Sequence, residues 1–231
     1  MYIKIKFTNI LKRAGQRHAQ TLFFVQDRQD GFTMIEVLIA LAVFTIGIVG
    51  GLTLALANYN TDKENFNRVA GANLAREGIE LVKNIRDSNW LRVEDNADCF
   101  GDPCTWSYGL ADYNYIYLDY NDDIVSAGIH TCDCSTDDLS YCIEFVCNSQ
   151  LYLDSNGYYN HDDPVTATRF ERLIKLQAIC LSGVGAQSIS GDNSCNAGDT
   201  LIGFKVTARV NWPQGSGIGH VEVADYLYNW R

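Results

Sequence analysis

Residues 32–57, FTMIEVLIALAVFTIGIVGGLTLALA, are 26 consecutive residues with a single charge, Glu36. No other feature of the chain narrows the available folds as much. As a helix this run is about 39 Å long, against roughly 30 Å of bilayer hydrocarbon. It can therefore span a membrane with some tilt. It is longer than the core of an ordinary signal peptide, roughly 7–15 residues. Gly47, Gly50 and Gly51 lie inside it. Each weakens a helix in water by about 1 kcal/mol, so they mark a soft stretch. Glu36 is the informative residue, because a carboxylate at the bilayer centre costs roughly 2.5–3.5 kcal/mol. A plain anchor would omit it, whereas a cation supplied by a partner would satisfy it.

The charges around this run are unevenly placed. The whole chain carries 18 Lys+Arg and 28 Asp+Glu, a net charge of −10. Residues 1–31 hold six basic and two acidic groups, or +4, and the remaining 200 residues hold 12 and 26, or −14. Between Arg92 and Arg169 there are 15 acids and no Lys or Arg. Such an acidic chain lacks the basic footprint of a nucleic-acid binder. With 47% hydrophobic residues it is too apolar for wholesale disorder. A basic start, an apolar run and an acidic remainder place the first part on the cytoplasmic side of a membrane and the rest outside.

The segment Gly31-Phe32-Thr33-Met34-Ile35-Glu36-Val37-Leu38 resembles the processing site of type IV prepilins and type II secretion pseudopilins. The resemblance covers residues 28–90 well and the remainder only in general plan. It implies a leader peptide at 1–31, cut between Gly31 and Phe32 by a prepilin peptidase that also methylates the new amine of Phe32. It implies that Glu36 pairs with the terminal amine of a neighbouring subunit. Its partners would be other pilin subunits in a helical filament, the peptidase and the inner membrane. The precursor would be a single-pass protein with its head outside, later part of a periplasmic or cell-surface filament: a type IV pilus, as major or minor pilin, or a type II secretion filament. A competing reading takes Ala55-Leu56-Ala57 as an ordinary signal-peptidase site, with cleavage before Asn58. That reading gives a secreted or tethered, adhesin-like binding module that does not polymerise.

Past the apolar run the helix changes character. Phe66, Ala70, Leu74, Leu81 and Ile85 form an apolar stripe with polar residues on the other faces. Residues 32–57 are thus read as the membrane and assembly helix, 58–92 as its amphipathic continuation, and 93–231 as a β-rich head. In the head the period changes to two. Phe204, Val206, Ala208, Val210 and Trp212 alternate with polar positions, as do Ile174, Leu176, Ala178 and Cys180. Residues 113–119, 142–153 and 220–228 also read as strands. Asn156-Gly157 signals a hairpin turn. The expected fold class is α+β: a long N-terminal helix packed on a mainly antiparallel sheet.

All eight cysteines (Cys99, Cys104, Cys132, Cys134, Cys142, Cys147, Cys180, Cys195) follow the apolar run, as in an exported disulfide framework. Cys180 and Cys195 flank a Gly/Ser-rich loop, and Cys99 and Cys104 flank Gly101-Asp102-Pro103. Cys132 and Cys134 are then left for Cys142 and Cys147. If 142–147 is one strand, its two cysteines are about 16 Å apart and cannot bond each other. A zinc site from His130, Cys132, Cys134 and Cys142 is the alternative, without the paired spacings of common zinc sites. Two acidic clusters, represented by Asp119 and Asp122 and by Asp154 and Asp162, offer oxygen donors for calcium. Solvated acidic turns are the simpler reading, so no cofactor is expected. Neither G-x-S-x-G nor H-E-x-x-H occurs, and Gly215-Ser216-Gly217 reads as a hairpin, so no enzyme is expected.

Overall fold

The computed structural model describes residues 31–95, 98–99, 102–120, 122, 129–136, 138–161 and 166–230. The described chain divides between Leu52 and Thr53 into two units. Helix α1, Met34–Glu94, begins in the first unit and continues into the second. In the first unit every described residue is exposed, including Phe32, Leu38 and Phe44. An 18-residue window of α1 has mean hydropathy 2.5 with none of it buried, so the helix is long and apolar enough to cross a membrane.

The second unit is a sheet with a helix on one face. Its strands are β1 (Asp98–Cys99), β2 (Asp102–Pro103), β3 (Tyr115–Tyr117), β4 (His130–Thr131), β5 (Gln150–Leu153), β6 (Tyr159–Asn160), β7 (Thr166–Leu181), β8 (Gln187–Ile189), β9 (Thr200–Gln214) and β10 (Gly217–Tyr228). β1 and β2 pair only with each other. The main sheet runs β10-β9-β7-β3-β4, with β5 and β8 also on β7 and β6 on β5; every pairing is antiparallel. The fold is therefore α+β, a long helix on an antiparallel sheet with disulfides.

Alternation decides which side of each strand is buried. Phe204, Val206, Ala208, Val210 and Trp212 of β9 join Phe170, Ile174 and Leu176 of β7 in the main core, against Leu74, Ala75, Ile79, Val82 and Ile85 of α1. The helix face differs from the expected stripe. Phe66 is 71% exposed, while Gly71, Ala75, Gly78 and Val82 are buried. The reason is close approach. A Cβ on Gly71 would lie 2.8 Å from Cζ3 of Trp212, and one on Gly78 would lie 3.2 Å from Cδ1 of Ile174. Small residues bring the helix down onto the sheet, and the larger side chains of the sheet fill the space.

The other face of the sheet carries a smaller core of Tyr115, Leu173, Cys134, Leu139, Cys142 and Ile143. Here the structure corrects the strand expected at 142–153. Asp138 caps a short helix, α2 (Leu139–Tyr141), by accepting from the backbone N–H of Ser140 at 2.9 Å. A π-helical turn at Cys142–Val146 follows, and only Gln150–Leu153 is extended. The 16 Å separation inferred for Cys142 and Cys147 falls with that strand, since the N–H of Cys147 bonds the carbonyl of Cys142 at 2.9 Å. The strand expected at 113–119 is confined to Tyr115–Tyr117.

Candidate functional site

The first candidate site is the start of α1. Thr33 precedes the helix, and its carbonyl accepts from the N–H groups of Glu36 and Val37 at 3.0 and 3.2 Å. Its hydroxyl also takes the Glu36 N–H at 3.4 Å. Thr33-x-x-Glu36 has the spacing of a capping box, and the Glu36 carboxylate sits in the first turn, where the helix dipole favours negative charge. Sequence reading missed this local role, although the spacing carries its signal. One turn apart, Phe32, Glu36, Ala40 and Phe44 share a face. With Val37 and Leu41 they line a shallow apolar groove of about 530 Å³ in which Glu36 is the only charge. Among the described residues nothing lies within 4 Å of where a Cβ on Gly31 would be.

In the head all eight cysteines are paired: Cys99–Cys104, Cys132–Cys147, Cys134–Cys142 and Cys180–Cys195. The zinc alternative through Cys132, Cys134 and Cys142 is thereby excluded, because a disulfide sulfur is not a thiolate ligand. Of that set only His130 lies outside the disulfides.

The acidic candidates separate. Asp154 organises the turn before β6. Its carboxylate accepts from the N–H groups of Tyr158 and Asn156, both at 2.8 Å, and these bonds hold it below the usual carboxylate range. Gly157, at φ +88°, completes that turn. Asp162 lies outside the described residues. Asp119 is buried and meets Asp122, whose Oδ2 accepts the Asp119 N–H at 2.7 Å.

Asp119 also receives His161. The His161 N–H reaches its two oxygens at 3.0 and 2.9 Å, and the imidazole Nδ1 lies 2.6 Å from Oδ1. Burial pushes the Asp119 carboxyl up, but the His161 side-chain and backbone bonds and the nearby Arg172 charge together bring it below its ordinary value. The cross-strand pair Tyr117–His130 places an imidazole beside the two acids, and donor atoms of Asp119, Asp122 and His130 lie within 4.8 Å of one another. The i, i+3 spacing of the two acids was legible in sequence. The part played by His130 was not, since only the β3–β4 pairing brings it there.

Residues 26–52 match the family model of the prokaryotic N-terminal methylation motif. Comparison with curated proteins and with solved structures gives no match. Gly31, Phe32 and Glu36 fall inside the matched residues, at the start of the one described helix apolar enough to enter a membrane. The chain thus carries, at residues 26–52, the N-terminal methylation signature of type IV pilins and pseudopilins.

Proposed function

We propose that this chain is a structural subunit of a type IV pilus or type II secretion filament. Prepilin peptidase removes residues 1–31 and methylates the amine of Phe32. The apolar half of α1 holds the subunit in the inner membrane, its acidic head outside, until it is drawn into the filament. There residues 32–57 form the packed interior, 58–92 join interior to head, and 93–231 form the outer surface.

The single observation that carries the reading is Glu36, the only charge in an otherwise apolar, fully exposed helical segment. An exposed apolar face of this size is at home in lipid or against its own copies. The carboxylate leaves lipid for a protein interior only when a cation meets it, because an unpaired buried charge costs several kcal/mol. The freed amine of Phe32 on a neighbouring copy is such a cation. A wrong stagger between copies strands both charges, so the pair selects one register.

Two measurements test this. Mass spectrometry of the native protein gives a methylated Phe32 N-terminus; retention of residues 1–31, or a start at Asn58, overturns the reading. Glu36→Ala and Glu36→Gln are then compared for membrane insertion and recovery in sheared filaments. Glutamine keeps the capping-box spacing and an acceptor oxygen but not the charge. Both variants insert and neither assembles if charge pairing sets the register. Wild-type assembly of Glu36→Gln reduces Glu36 to a helix cap.

A further inference from the structure

We propose that Asp119, Asp122 and His130 form a site for a divalent transition ion of the zinc class on the head, independent of filament assembly. Two separate parts of the chain converge there. Asp119 and Asp122 follow β3, and His130 comes from β4 across the Tyr117–His130 pair. Their donor atoms lie within 4.8 Å of one another. Asp119 is buried, whereas Asp122 and His130 are half-buried and within reach of solvent.

His161 is the independent observation. Its side chain is 1% exposed, and its Nε2 has no hydrogen-bond partner. A buried N–H without an acceptor is costlier than an idle lone pair, so the ring hydrogen belongs on Nδ1, which faces Asp119 Oδ1 at 2.6 Å. With the His161 backbone N–H, this fixes the buried carboxylate in one orientation. A carboxylate has about four acceptor positions, and His161 leaves capacity on Asp119 Oδ2. An ionised, oriented carboxylate held from behind by a histidine is how metal-binding carboxylates are supported. The Tyr117 ring packs on both imidazoles, 5.2 Å from His130 with planes at 10° and 5.0 Å from His161, and so sets the plane of the candidate nitrogen ligand.

The donor set chooses the ion. Two carboxylates and an imidazole suit zinc and its neighbours, which accept nitrogen and oxygen at about 2.0–2.2 Å. Calcium takes six to eight oxygens and gains nothing from the imidazole. Tetrahedral zinc needs donors about 3.4 Å apart, so Asp122 and His130 close in around the fixed Asp119. Three protein ligands leave a fourth position for water. The bound ion would tie the β3–β4 hairpin to the turn after β3.

The test uses the full chain in detergent with zinc ion alone as probe, reading the melting temperature and calorimetric binding. Zinc at one hundred times its dissociation constant raises the melting temperature by roughly 5–10 °C. His130→Asn and Asp122→Asn, each compared with its own zinc-free melting temperature, weaken zinc binding at least about tenfold. His220→Asn responds as wild type. No shift with zinc, an undiminished shift in both ligand variants, or an equal response to calcium each overturns the assignment.

Discussion

Arg172 is fully buried, and its guanidinium joins the sheet to the helix. From β7 it donates to the carbonyl of Leu74 at 3.3 Å, to Glu77 at 3.1 Å and to the carbonyl of Leu118. Removing the side chain takes this donor from the buried Leu118 carbonyl and leaves a cavity between helix and sheet, so Arg172→Ala is expected to cost about 2–5 kcal/mol in denaturant unfolding. Arg172→Met, which keeps much of the volume, is expected to cost less. Glu171, one position along on the opposite face, behaves differently. Burial pushes its carboxyl above the usual range, and the charge of Glu144 adds to this. The folded state therefore holds that proton more tightly than the unfolded chain. The penalty is absent below the ordinary glutamate pKa and full once the pH passes the raised value. Glu171→Gln is expected to raise the melting temperature at pH 7 and to leave it unchanged at pH 3. Neither role was legible in sequence. Alternation puts Arg172 and Glu171 on opposite faces, but only the packing of α1 shows which face is dry.

At the scale of elements, one helix meets two environments. Between Met34 and Leu52 its residues are exposed, and between Asn67 and Asn89 it is pressed against β7 and β9. Glycine has a different meaning in each part. Nothing lies within 4 Å of a Cβ built on Gly50, so Gly50→Ala is expected to leave the head's stability unchanged. At Gly71 the new methyl group meets the ring of Trp212, whose indole N–H also reaches Glu64 at 3.4 Å. Gly71→Ala is expected to destabilise by about 1–2 kcal/mol despite the better helix former, because overpacking outweighs the propensity gain. Chemical denaturation of the two variants side by side checks both. The sequence pattern found β9 and β10 to within a few residues and only the second half of β7, from Ile174, because strands with one dry face alternate strictly. It misread 142–149, where an aspartate cap and two disulfides hold a helical turn. Cys134–Cys142 and Cys132–Cys147 are a tertiary choice between pairings the sequence left open.

As a whole molecule the chain from residue 32 onward has a net charge of −14, and much of its positive charge is spent inside. Arg172, Lys175 and Arg209 are buried, the last bonded to Glu222 at 2.7 Å and to Ser140 at 3.0 Å. Heads brought side by side therefore repel. The Debye length falls from about 30 Å at 0.01 M salt to about 8 Å at 0.15 M. Assembly is expected to fail at low ionic strength and recover as salt rises, as read by sedimentation of filaments across a salt series. The sequence alone determined the membrane-competent helix, its lone acid, the sidedness of charge and the α+β plan. Each is written in contiguous residues or a local period, and apolar length and charge act without reference to a fold. The tertiary structure alone decided which helix face is buried, which of Cys132 and Cys134 meets Cys142 and which meets Cys147, and that His130 and His161 gather around Asp119. Those outcomes depend on contacts that exist only after the chain has folded, several of them between residues tens of positions apart.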